Sequence, residues 1–151
     1  MPRRLVGRAD RRPFPLLAEL PPELRDVILD FHWDQQLLWA LDLPTIERPI
    51  AELTWHLGLP FWACGGQPFQ VTPLEVATDP GRFAEQYART MATDLRYPLD
   101  VVRRPEGQLT ILDGVHRLLR AYLASMESVR VRVLEWEELD SIAVRGGHEG
   151  Q

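Results

Sequence analysis

The sequence predicts an α+β domain, a small mixed β-sheet flanked by helices, with an N-terminal helical extension. Three stretches carry that expectation. In residues 108–124, QLTILDGVHRLLRAYLA, a β-type run breaks at Asp113-Gly114, and beyond it Val115, Leu118, Leu119, Tyr122 and Leu123 recur at helical spacing. Thr72-Pro73-Leu74-Glu75 is a capping box with proline at the first helical position. Val129, Val131 and Val133 alternate with Arg130 and Arg132, the pattern of a half-buried strand with a basic outer row.

Taken in order, residues 1–15 carry Arg3, Arg4, Arg8, Arg11 and Arg12 against one acid, Asp10, and read as a disordered basic tail. Residues 16–60 read as a helical extension packed on the core. Pro21-Pro22 opens its first long helix, with Leu24, Val27, Ile28, Phe31, Gln35 and Leu38 tracing one mostly apolar face until Leu43-Pro44 ends it. Pro49 starts a shorter helix that Gly58 and Pro60 stop, and His32 and His56 read as structural histidines with no ligand partner nearby.

Residues 61–144 make the core, starting with two short strands around Gly65-Gly66, a two-residue hairpin turn. The capping box and a second start signal at Asp79-Pro80 follow. The next helix places Phe83, Ala84, Tyr87, Ala88 and Met91 on one face. Residues 98–102 form a strand, 103–107 turn it back into residues 108–112, and residues 136–144 form a last helix with Leu139 and Ile142 inward. Residues 145–151 read as a disordered tail.

Composition excludes several classes. At 151 residues and 45% hydrophobic content the chain has enough apolar material for one domain with a core. Its formal charge of −5 argues against DNA as a partner, and all 17 basic residues are arginine, from which no mechanism follows. Cys64 is the single cysteine, which rules out an intramolecular disulfide and a thiolate metal cluster. No apolar stretch approaches a membrane span, and the start lacks a signal peptide's apolar middle. A cytoplasmic protein without a membrane partner is the expectation.

A strand feeding a glycine turn and then a helix leaves backbone N–H groups unpaired at the positive end of the helix dipole, which suits an anion. His116 and Arg117 stand in that first turn as side-chain donors. A phosphate-bearing ligand is one reading. The other is a strand-to-helix corner in which Asp113 caps the helix and Arg117 pairs with a surface carboxylate.

From Phe69 to Val133 the predicted order is strand, capped helix, strand, strand, glycine turn, helix, strand. Together with the YPLDVV strand (residues 97–102), LTILDGVHRLLRAYL (109–123) and the V-R-V-R-V strand, this resembles the ParB/sulfiredoxin superfamily. The most specific element is Gly114-Val115-His116-Arg117, where sulfiredoxins carry Gly-Cys-His-Arg and ParB-like domains Gly-x-x-Arg. The resemblance spans less than half of the chain. It implies nucleotide binding, of ATP or CTP, with Gly114 and Val115 giving close backbone approach and His116 and Arg117 acting as phosphate donors. Arg96, Arg103 and Arg104 are looser candidates to reach the ligand. Val115 occupies the position of the sulfiredoxin nucleophile, so sulfiredoxin activity is not expected.

Some family members are small-molecule kinases, and Asp113 fits their Asp-Gly-x-His-Arg turn. Asp113 there, with His116 as a further catalytic candidate, implies a phosphotransferase or nucleotide hydrolase with Mg²⁺ arriving alongside the nucleotide. Asp113 as a cap or turn residue is the competing role. A second functional reading is a non-catalytic regulatory or interaction module, homodimeric through residues 20–62, where Trp33, Trp39, Trp55 and Trp62 cluster. DNA-binding or nuclease activity comes third.

Overall fold

The computed structural model describes residues 10–145. It is an α+β protein built on a four-stranded mixed sheet with a separate two-stranded sheet and flanking helices. The main sheet has the order β1 (Thr45–Pro49), β6 (Ser128–Glu135), β4 (Leu99–Arg103), β5 (Leu109–Asp113). β4 and β6 run parallel at its centre, and each edge strand pairs antiparallel with its neighbour. The expected hairpin is β2 (Trp62–Cys64) and β3 (Gln67–Val71), joined by Gly65 and Gly66 at φ 59° and 79°. Both turn glycines adopt the left-handed backbone that tight hairpins require.

The middle of the chain follows its local signals. Helix α2 (Pro73–Thr78) opens on the complete capping box: Thr72 accepts from the Glu75 N–H at 3.1 Å, and Glu75 accepts from the Thr72 N–H at 2.9 Å. Such a cap contributes about 1 kcal/mol. Helix α3 (Ala84–Met91) turns Phe83, Tyr87 and buried Thr90 inward; Ala84, Ala88 and Met91, expected on that face, are exposed. After β4 and β5 comes α4 (Val115–Leu123), with Leu118, Leu119 and Ala121 fully buried while Tyr122 and Leu123 stay largely exposed.

Two apolar clusters cover the two faces of the sheet. On one face Leu99, Val101, Ile111, Val129, Val131 and Val133 meet Leu118 and Leu119 of α4, Val76 of α2, and Leu53 and Leu57. On the other, Val102 and Leu134 meet Leu29, Phe31, Leu38, Leu139 and Ile142. Because both faces are covered, Arg132 does not belong to a solvated basic row. Its guanidinium donates to Asp100 at 2.6 Å and to the Leu41 carbonyl at 2.5 Å, beneath the end of α1 (Gln35–Ala40).

The N-terminal extension differs most from expectation. No long helix follows Pro21-Pro22. A 3₁₀ turn over Pro22–Leu24 gives way to turns, then to extended backbone at Phe31 and Trp33, which bridge Pro13 and Ala143. The bridges are carried by the backbone of Asp30, His32 and Asp34, which bonds to Phe14, Arg12, Val144 and Ile142, and Phe31 is buried between them, which outweighs weak helical propensity. The one α-helix of residues 16–60 is α1, started by Asp34, whose carboxylate accepts from the Gln36 N–H at 2.8 Å. Thr45–Pro49, expected to lie between two helices, is an edge strand of the main sheet, so the extension contributes to the core rather than packing against it. The shorter helix after Pro49 is a pair of 3₁₀ segments, Ile50–Glu52 and Thr54–Gly58. The last helix is likewise 3₁₀, Trp136–Ser141, and Leu139 and Ile142 point inward as expected.

Part of the expected basic tail is tied down. Arg11 bridges Arg145, pairs with Asp140 at 2.6 Å and lies 4.2 Å over the Phe31 ring. Arg3, Arg4 and Arg8, and residues 146–151 of the expected C-terminal tail, lie outside the described residues. Of the four clustered tryptophans, Trp62 is buried and Trp33 and Trp55 are partly buried, leaving Trp39 half exposed. Among the described residues no helix is long and apolar enough to cross a membrane.

Candidate functional site

The strand-to-helix corner between β5 and α4 opens onto a cleft of about 480 Å³, lined by Asp113, Gly114, Val115, His116 and Arg117 together with Phe61, Trp62, Asp94 and Tyr97. Gly114 is the residue that shapes it. Its φ of +121° suits glycine, and a Cβ there would fall 2.7 Å from Leu99 Cδ2 and 3.0 Å from an Arg117 nitrogen. Gly114 itself is the N-cap residue, and no side chain caps the helix. The first intrahelical bond is Leu118 N–H to Gly114 O at 2.9 Å, which leaves the amides of Val115, His116 and Arg117 without an intrahelical acceptor.

Asp113 therefore does not cap α4. It ends β5, and its Oδ2 accepts from the Trp39 indole N–H at 3.2 Å and lies 3.5 Å from the Arg117 guanidinium. The carboxylate that pairs with Arg117 is the one four residues before it. Arg117 is mostly buried, its side chain 18% exposed, so its charge is poorly screened.

His116 stacks on Trp62, ring centroids 4.2 Å apart and 12° between planes, and its Nε2–H donates to Gln86 Oε1 at 2.8 Å. Burial, with the Arg89 charge adding to it, lowers its pKa from 6.5 to about 4, although Asp113 pulls the other way. The ring is thus neutral at pH 7 with its Nδ1 lone pair uncommitted. In this tautomer the donor nitrogen is the one committed to Gln86, and Nδ1 is the acceptor. Turning over the Gln86 amide would reverse the tautomer and make Nδ1 a donor.

The remaining arginine candidates are not gathered here. Arg96 is exposed and held in a fork by Asp94, the two making contacts of 2.8 to 3.1 Å. That pairing lowers the Asp94 pKa to about 2 and neutralises an acid on the rim of the cleft. Arg103 and Arg104 lie at the opposite end of β4, about 10 Å from Asp100 at strand rise. Arg103 pairs with Glu135, while Arg104 donates to Thr110 Oγ1 and the Val27 carbonyl at 2.9 Å each and sits over Trp136. Neither lines the cleft.

Four groups not expected at the site, Trp39, Tyr97, Asp100 and Arg132, belong to this end of the sheet. Asp100 on β4 is cross-strand partner to both Asp113 and Arg132. Burial raises its pKa against the opposing pull of Arg132. An acid inside the apolar run Leu99-Asp100-Val101-Val102 was a readable anomaly, since a buried carboxylate needs a partner. Trp39, Tyr97, Asp100 and Arg132 line a second cleft of about 530 Å³ with Pro98 and Arg117. Arg117 and Tyr97 are common to both clefts. Among the described residues no group of three or more His, Cys, Asp or Glu side chains is placed to hold a metal ion. No protein-family model, no curated protein and no solved structure matches the chain.

Proposed function

We propose that the protein binds a nucleotide of the ATP or CTP type, with its phosphates on the turn formed by Gly114, Val115, His116 and Arg117. The observation that carries this reading is the uncapped start of α4 opening into a cleft beside the Arg117 guanidinium. Three free amides, the positive end of a nine-residue helix and a mostly buried arginine converge there. Anion binding satisfies all of them, and it takes over from Asp113 as the partner of Arg117. The resemblance of the Gly-Val-His-Arg turn to ParB/sulfiredoxin domains supports the same ligand. Val115 offers its amide but no nucleophile.

Asp113 fits the role of an acid beside the terminal phosphate. Mg²⁺ is commonly held by one or two carboxylates plus the phosphates themselves, so a lone Asp113 is sufficient protein ligation for an ion that arrives with the nucleotide. Phosphoryl transfer to a small molecule, or nucleotide hydrolysis, is the chemistry this arrangement suits. Calorimetric titration with ATP, ADP and CTP, with and without Mg²⁺, tests the reading: binding in the micromolar to millimolar range is expected, lost in Arg117→Ala. No heat with any of these nucleotides would refute it. A second reading, a non-catalytic homodimer through residues 20–62, rests on Leu37 and Trp39, 43% and 50% exposed on α1. Light scattering that finds a monodisperse monomer removes it.

A further inference from the structure

The second cleft has no role in phosphate binding as described, yet it is similar in size to the first and shares Arg117 and Tyr97 with it. Its walls are two strongly exposed aromatic side chains, Trp39 at 50% and Tyr97 at 62%, together with Pro98. Its polar floor is the mostly buried Asp100–Arg132 pair, with Arg117 at the border it shares with the first cleft. A site with aromatic walls and a charge-balanced floor selects a flat, uncharged ring rather than a second anion. The position of Trp39 is also fixed, because its indole N–H is bonded to Asp113, the residue preceding the phosphate turn.

We infer that this cleft is the base-binding subsite of the nucleotide whose phosphates lie at the start of α4. The nucleobase sits between Trp39 and Tyr97, and the ligand crosses from one cleft to the other past Arg117. The inference rests on the phosphate reading and adds to it a residue from the N-terminal segment. Trp39 belongs to α1, outside the stretch that carries the family resemblance, so one wall of this base subsite comes from this chain's own extension. Stacking of a base on an aromatic ring is tolerant of base identity, which predicts that ATP and CTP bind with similar affinity.

The test compares ATP and CTP with inorganic tripolyphosphate, which has the phosphate chain and no base, by calorimetry on the full chain in one Mg²⁺-containing buffer. Wild-type protein is expected to prefer each nucleotide over tripolyphosphate by about tenfold or more, the scale of one stacked base. Trp39→Ala and Tyr97→Ala should each bring that ratio close to one. Trp39→Phe keeps a stacking face while removing the bond to Asp113, and should retain most of the preference. Circular dichroism confirms that each variant is folded; Tyr97→Ala changes an exposed side chain and keeps the test decisive if Trp39→Ala does not fold. Equal wild-type affinity for nucleotide and tripolyphosphate, or a preference that survives both alanine variants, overturns the base subsite and leaves the phosphate cradle standing. Failure of tripolyphosphate and nucleotides alike to bind overturns the cradle itself, and the base subsite with it.

Discussion

His56 gives the most quantitative prediction. The ring is fully buried, stacked on Trp55 at 3.7 Å, and both nitrogens are committed. The Ile111 N–H donates to Nε2 at 3.0 Å, so Nε2 carries the lone pair, and Nδ1–H donates to the Leu53 carbonyl at 2.7 Å. The histidine thus serves as a strand partner for the edge strand β5 and locks the Thr54–Gly58 segment to it. Protonation would place a hydrogen on Nε2 against an amide already pointing there. Burial is the largest cause lowering the pKa from 6.5 to about 4; the bond to Leu53 opposes it and Arg104 adds to it.

For such a histidine the unfolded chain takes up the proton first as pH falls. Its contribution is complete above pH 6.5 and is lost between there and about pH 4. At 1.36 kcal/mol per pKa unit the full loss is about 3 kcal/mol, most of which falls between pH 7.5 and 4.5. His56→Gln removes the titration and leaves imperfect partners for two buried backbone groups, a cost of about 2 to 4 kcal/mol at pH 7.5. Urea unfolding followed by tryptophan fluorescence, for both proteins at several pH values, reads the difference directly and cancels the carboxylates they share. The stability gap should narrow by about 2 to 3 kcal/mol as the pH drops to 4.5. A gap that stays constant over that range would show that His56 is not the buried neutral acceptor described.

Three further outcomes follow from the same contacts. Gly114→Ala combines a left-handed φ with a Cβ 2.7 Å from Leu99, and should lower stability by about 2 kcal/mol in thermal unfolding while weakening nucleotide binding. Asp100→Ala strands the Arg132 guanidinium, whose side chain is only 16% exposed, and should cost about 3 kcal/mol in urea; replacing both residues with apolar ones of similar size should recover most of it. Thr72→Ala removes the complete capping box of α2 and should cost about 1 kcal/mol, with no effect on ligand affinity since Thr72 lines neither cleft.

How much of the site was legible depended on the range of the interaction. Gly114 was readable because one residue's backbone freedom and the switch from strand to helix spacing are local. The mutual commitments of Asp113, Arg117 and Trp39 were not, because the indole arrives from 74 residues away. His116 shows the same limit within a correctly placed motif. Its position followed from the turn, but its tautomer is set by Gln86, thirty residues earlier on α3, and its neutrality by burial against Trp62. Arg103 and Arg104 looked near the ligand in sequence, yet a strand carries them to the far end of the sheet.

By itself the sequence determined the elements whose signals are complete within a few residues: the Gly65-Gly66 hairpin, the Thr72–Glu75 cap, the β5–glycine–α4 corner and the alternating β6. Each is fixed by φ preference, capping or side-chain period, forces that act between neighbours. Tertiary structure decided the fate of residues 25–49. Their apolar spacing suited a helix, but Phe31 and Trp33 formed isolated bridges with Pro13 and Ala143, and Thr45–Pro49 paired with β6. Backbone bonds to distant strands, gained together with burial of Leu29, Phe31 and Leu38, exceed the few tenths of a kcal/mol per residue that helical propensity provides. The same long-range packing brought the Trp39 indole to the Asp113 carboxylate, beside the glycine turn, and joined two clefts at Arg117.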